Sequence, residues 1–268
     1  MLLTAAIVED IQRAHRNGTD VRSIVSSISD ATLSGLMEYA CLRAEHQEFP
    51  ALPPALLASS YWGSEFLRSS AHAGSRGSKN GLRQKETGRF DAFNAGVLES
   101  QQWETFQFYF TQASKASGLQ SSVADALAAA MHEMAENAFL HSSATRSIVV
   151  GYRATNGEST FCVTDLGIGI LASLKSNPQH AKLKRHSDAI RLALRDGVTR
   201  FPAGGGFGFR SIFKALVSQW GSLRFRSGEG CIEMDGMDLQ ADHGTVSFPP
   251  SLPGFQVSVT ARSVADNT

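Results

Sequence analysis

The spacing of apolar positions changes character twice along the chain. From Thr4 to about Glu48, apolar residues recur at three and four: Ile7 and Ile11, then Val21, Ile24, Val25 and Ile28, then Leu33, Leu36, Met37 and Ala40, with Asn17-Gly18 as a break. This predicts two or three short amphipathic helices. Pro50, Pro53 and Pro54 close that region and open a further helix over 56–67. Between Ser69 and Gly88 the periodicity dissolves into glycine, serine and basic residues, which reads as a linker. Aromatic residues then crowd from Trp103 to Phe110, ahead of a long alanine- and leucine-rich helix that Ser121 or Ser122 would cap and that runs through Leu140.

Beyond that helix the period falls to two. Residues 147–153 and 159–164 read as strands joined at Asn156-Gly157, a dipeptide favoured in tight antiparallel turns. Residues 188–194 and 209–220 return to helical spacing, and 222–226, 231–235, 245–248 and 255–260 read as further strands. The order predicts an α/β (α+β) domain over 101–268, preceded by a Gly/Ser-rich basic linker over 69–100 and a helical N-terminal module over 1–68.

Composition adds constraints rather than a function. Lys plus Arg and Asp plus Glu number 25 each, so no net charge draws the chain to nucleic acid or an anionic membrane. The basic loop from Arg68 to Arg89, with the lysines and arginines between Lys175 and Arg195, keeps a nucleic-acid role open. Cys41, Cys162 and Cys231 lack zinc or disulfide spacings and read as reduced thiols of a cytoplasmic protein. The apolar start is cut short by Glu9 and Asp10, which predicts a helix rather than a secretion signal. No run reaches the ~20 apolar residues of a membrane span.

Three polar interruptions carry candidate chemistry. In the long helix, Glu133, Asn137 and His141 recur at i, i+4 and i+8 and share a face. His132-Glu133 resembles the start of a zinc-protease helix, but Glu136 stands where the second histidine belongs, which argues against a zinc hydrolase. At the end of a predicted strand, Asp165 is followed by Gly167 and Gly169, glycines that let a ligand approach backbone closely. Last, Gly204, Gly205, Gly206 and Gly208 precede an apolar-faced helix, whose unpaired N–H groups and dipole suit phosphate. The remaining histidines, His15, His46, His72, His180, His186 and His243, show no partner in the sequence.

In this order, Glu133-x-x-x-Asn137, Asp165-x-Gly167-x-Gly169 and Gly204-Gly-Gly-Phe-Gly208 resemble the three boxes of the GHKL ATPase superfamily, closest to its histidine-kinase-like and anti-sigma-factor-like members. The resemblance spans about Trp103 to Arg262. It implies a Bergerat-type two-layer sandwich, a mixed but mostly antiparallel sheet with helices on one face. It implies ATP and Mg²⁺ as ligands, with Asn137 on the magnesium, Glu133 activating water or a substrate hydroxyl, Asp165 on the adenine amino group, Gly167 and Gly169 admitting the base, and Gly204, Gly206 and Gly208 around the phosphates. His141 matches a position near the phosphates. Residues 171–203 fall where the family has its ATP lid, with Lys175, Lys182, Lys184, Arg185, Arg191 and Arg195 as cations. Phe255 replaces a threonine common in relatives, and no phosphoacceptor histidine hairpin precedes the domain. Three outcomes stay open: ATP hydrolysis, phosphoryl transfer to a protein, or a nucleotide-gated interaction switch. The N-terminal module is expected to meet a protein partner, and a homodimer fits the family.

Overall fold

The computed structural model describes residues 1–54, 56, 88–94, 96–141, 148–155, 157–194, 221–235 and 244–263. The chain starts with a two-residue parallel pairing of β1 (Leu2–Leu3) and β2 (Asp30–Ala31), which sets helices α1 (Ala5–Arg16) and α3 (Leu33–Glu45) side by side, with α2 (Arg22–Ser26) between them in sequence. Thr4 and Thr32 cap the two longer helices, each hydroxyl accepting from the backbone N–H three residues on. Gly35 is required at their junction, since a Cβ there would lie 2.4 Å from the carbonyl oxygen of Leu3. Leu3, Val8, Ile11, Val25, Leu36, Met37 and Tyr39 fill the core of this layer.

The rest is built on one seven-stranded sheet in the order β3-β4-β5-β9-β6-β7-β8, antiparallel at every pairing. Its strands are β3 (Gly88–Phe93), β4 (Ile148–Thr155), β5 (Glu158–Asp165), β6 (Ser222–Gly228), β7 (Gly230–Asp235), β8 (Thr245–Ser247) and β9 (Leu252–Arg262). The predicted hairpin is present: Thr155 pairs with Glu158 across two residues, and Gly157 has the positive φ that such a turn demands. The stretch read as a linker contributes an edge strand, β3. Its short Arg-Phe-Asp-Ala-Phe alternation is too brief to stand out before a pairing partner is known.

Alternation along the strands gives the sheet two unlike faces. Ile148, Val150, Tyr152, Phe161, Val163, Phe225, Val257 and Val259 point to the face covered by α4 (Gln101–Ala116) and α5 (Ser121–His141), where Trp103, Phe106 and Phe110 are fully buried. The opposite face is polar, with Cys162, Thr164, Gln256, Arg224 and Arg226, and α3 lies across it. The described architecture is therefore α+β: α4 and α5 cover one face of the sheet, and the N-terminal helices add a third layer on the other. The carboxylates of the N-terminal helices meet the arginines of that face. The expected helix over 209–220 and most of that over 56–67 lie outside the described residues.

All three cysteines are free and buried, and burial pushes each thiol up to about 12, so none is a nucleophile near neutral pH. Among the described residues no helix is long and apolar enough to cross a membrane. His15 and His46, read as solitary, both flank Glu48, at 3.8 and 3.4 Å, and their rings lie against Phe49. His132 also has a partner: the buried indole N–H of Trp103 donates to its Nδ1 at 2.8 Å. Because an indole nitrogen only donates, the neutral ring must carry its proton on Nε2. Trp103→Phe removes that donor and leaves a small cavity where the larger ring stood, so unfolding in urea is expected to show a loss of about 2–4 kcal/mol.

Candidate functional site

α5 begins at Ser121, which is its first helical residue rather than its cap, and it is held by Leu127, Met131, Met134, Ala135 and Ala138 against the apolar sheet face. That anchoring leaves Glu133 and Asn137, one turn apart, half-buried on the flank of the helix. Desolvation raises the carboxyl of Glu133 above its ordinary range, with the nearby Glu136 carboxylate adding to the effect. A carboxylate held that way is a better proton acceptor than an exposed one. His141 is the last residue of α5.

Asp165 closes β5 with its side chain on the same face as Phe161 and Val163, the face α5 covers. It is 4% exposed. One carboxylate oxygen accepts from the N–H of Gly167 at 2.6 Å, which fixes the turn. Burial pushes the carboxyl up to about 7, against the opposing effect of the Gly167 hydrogen bond. Gly169 then adopts a positive φ of 73° and starts α6 (Gly169–Lys175), which touches α5. The structure thus brings Asp165, Gly167 and Gly169 to the end of the sheet beside the helix that carries Glu133 and Asn137. Gly204, Gly206 and Gly208 lie outside the described residues.

Two strands support this turn from behind. Ser227 on β6 accepts from the N–H of Ile170 at 3.0 Å and donates to the carbonyl of Gly254 at 2.7 Å. Gly254, with φ of 76°, passes so close to β5 that a Cβ would stand 2.0 Å from the carbonyl oxygen of Asp165. Gln256 donates to the carbonyls of Pro253, at 2.9 Å, and Asp165, at 3.4 Å. None of these supports was legible as functional, although Gly254 sits in the Pro-Gly pair that opens β9.

The region expected as a lid is folded, over its described part, into α6 and α7 (His186–Ala193) around Leu174, Ala189 and Ala193. Gly228 and Gly230 are the close contacts for α7, since a Cβ at either would strike His186. Lys175, Lys182, Lys184, Arg185 and Arg191 are all exposed, with Arg185 paired to Asp188 at 2.8 Å. Arg195 lies outside the described residues.

The sequence also left unread an ionic cluster on the polar sheet face. Arg226 is fully buried; it donates to Glu38, to Gln12 at 2.8 Å and to the carbonyl of Pro250 at 2.7 Å. Arg224 donates to Glu38 at 2.7 Å, to Glu9 at 2.5 Å and to Glu233. Burial works against the charge of Arg224, and the carboxylate of Glu38 overrides it, so the guanidinium stays protonated. The available signal was Glu38, a charge inside an otherwise apolar helical run, together with Arg224 and Arg226 alternating with Leu223 and Phe225.

Neither the known protein families nor the characterised proteins compared with this chain include a match.

Proposed function

We propose that the chain binds Mg²⁺·ATP in the manner of the GHKL superfamily, with the adenine at Asp165 and the phosphates toward the α5 flank that carries Asn137 and Glu133. The observation that carries this reading is a carboxylate buried at a strand end, one oxygen tied to the Gly167 N–H and, among the described residues, no lysine or arginine paired with it. Such a group suits the exocyclic amine of a planar base, and the glycines beside it present little side chain to obstruct one. An ionised carboxylate accepts that hydrogen bond more strongly than its acid form, so a bound amine would favour deprotonation of Asp165.

Among the described residues no three His, Cys, Asp or Glu side chains form a metal cage. Asn137 fits magnesium on its chemistry: a neutral oxygen donor, half-exposed, suited to an ion that keeps water and takes most of its other ligands from phosphate. Bound there, magnesium would neutralise phosphate charge. Glu133, raised by burial, would take the proton of the attacking water or hydroxyl. Phosphate release without a labelled protein would mark an ATPase. Label transfer to a second protein would mark a kinase. Stoichiometric binding with neither would mark a nucleotide-gated switch.

The test is calorimetry of Mg²⁺·ATP with the full chain. Wild type is expected to bind, and Asn137→Ala to bind at least about tenfold more weakly. Glu133→Gln is expected to keep affinity while phosphate release or transfer, if present, falls about 10²–10⁴-fold. Unchanged affinity in Asn137→Ala would sink the placement of the phosphates.

A further inference from the structure

The first fifty residues have no motif, yet their polar side chains reach the segment that backs the Asp165 turn. Glu38 and Gln12 both engage the guanidinium of Arg226, whose other hydrogen bond holds the carbonyl of Pro250 at 2.7 Å. Gln12 also donates to the carbonyl of the next residue, Ser251, at 3.4 Å. Leu252 is buried in the core of the N-terminal layer, and Leu166, directly after Asp165, is packed against it. Two residues further on, Gly254 abuts the carbonyl of Asp165 and is held by Ser227, the residue after Arg226. The same Ser227 hydroxyl anchors Ile170 at the start of α6. Among the described residues the polar ties from the N-terminal helices reach Pro250, through Arg226, and Ser251, three to four residues before the glycine that abuts Asp165.

The geometry points to Glu38, Gln12 and Arg226 as positioning residues of the Asp165 site: the N-terminal layer, docked on the polar sheet face, sets the Pro250–Gly254 segment and through it the Asp165–Ile170 turn. This rests on the proposed reading of Asp165 as a ligand residue only for its consequence on binding; the mechanical coupling stands apart from it. Polar and ionic docking suits such a role. Apolar contacts of Cys162 and Leu252 with the N-terminal core hold the layer on the sheet, and the charge-assisted bonds fix its docked geometry. A partner that engages the N-terminal helices would thereby reach the site without touching it, through a contiguous chain of bonds rather than distance alone.

The test is amide hydrogen exchange on the full chain without nucleotide, comparing wild type with Glu38→Gln, which keeps the volume and removes the charge. Exchange is expected to rise about fivefold or more at 166–170 and 252–256, while α4 and α5 stay protected. A rise confined to 33–45 and 222–228 would overturn the proposal, as would a uniform rise. Should Glu38→Gln not fold, Gln12→Ala gives the same readout, with the same outcomes deciding. A second signature is the ¹³C titration of the Asp165 carboxyl, whose midpoint is expected to move in both variants; a merely structural clamp would leave it in place. If wild type binds Mg²⁺·ATP, Glu38→Gln is expected to weaken binding about tenfold. If wild type binds no nucleotide, the ATP reading fails and the exchange pattern still decides the coupling.

Discussion

Arg226→Met is expected to lower the unfolding free energy by about 3–5 kcal/mol, the range for removing one partner of a buried ion pair. The reason lies in what remains. Glu38, 3% exposed, would keep Arg224 but lose its other cation, and Gln12 and the Pro250 carbonyl would lose their donors. Urea denaturation checks this through a lower midpoint at unchanged slope. Because the cluster is buried, raising salt to about 1 M should leave most of the difference intact. Breaking the exposed pair of Arg262 with Glu158, at 2.9 Å, makes the control: about 0–1 kcal/mol, falling further with salt. Equal effects from the two substitutions would contradict the burial argument.

Asp165→Asn is expected to stabilise the fold at pH 8 while abolishing or strongly weakening nucleotide binding. The sign follows from linkage. Burial raises the carboxyl of Asp165 to about 7 in the fold, against roughly 3.9 in an unfolded chain. Its neutral form thus contributes stability that is complete below about pH 4 and is lost as pH rises through about 7. The span corresponds to at most about 4 kcal/mol. An asparagine accepts the Gly167 N–H without that cost, so wild type and variant should converge near pH 4 and separate toward pH 8. Thermal unfolding across that range is the measurement, and a pH-independent difference would contradict the burial argument. A destabilising carboxylate at a strand end, exchanged for function, is what a ligand residue looks like energetically.

Much of residues 101–268 was legible because its signals are local. Alternating strands, the Asn-Gly turn and the alanine-rich helix each depend on neighbours within a few residues, and the observed bounds differ from the expected ones by at most three positions. Asp165 and its glycines could be singled out for the same reason: strand end, turn and helix start follow one another in sequence. β3 was missed since a six-residue edge strand is specified by its pairing with β4, about sixty residues away. The layer arrangement was missed for a related reason. An amphipathic helix announces that it has a buried face, not which surface buries it.

By itself the sequence determined the kinds of elements, their order, and the candidate pairing of a helix bearing Glu133 and Asn137 with a turn bearing Asp165, since periodicity and turn chemistry are written within short windows. Only the tertiary structure decided that Asp165 is buried, that the N-terminal helices form a third layer, and that Arg224 and Arg226 meet Glu9, Gln12 and Glu38. Those charges stand nearly two hundred residues or more apart, and neither helix nor strand periodicity encodes a partner at that distance. The cost of burying a charge is what makes the meeting obligatory, and it operates only once the layers have closed.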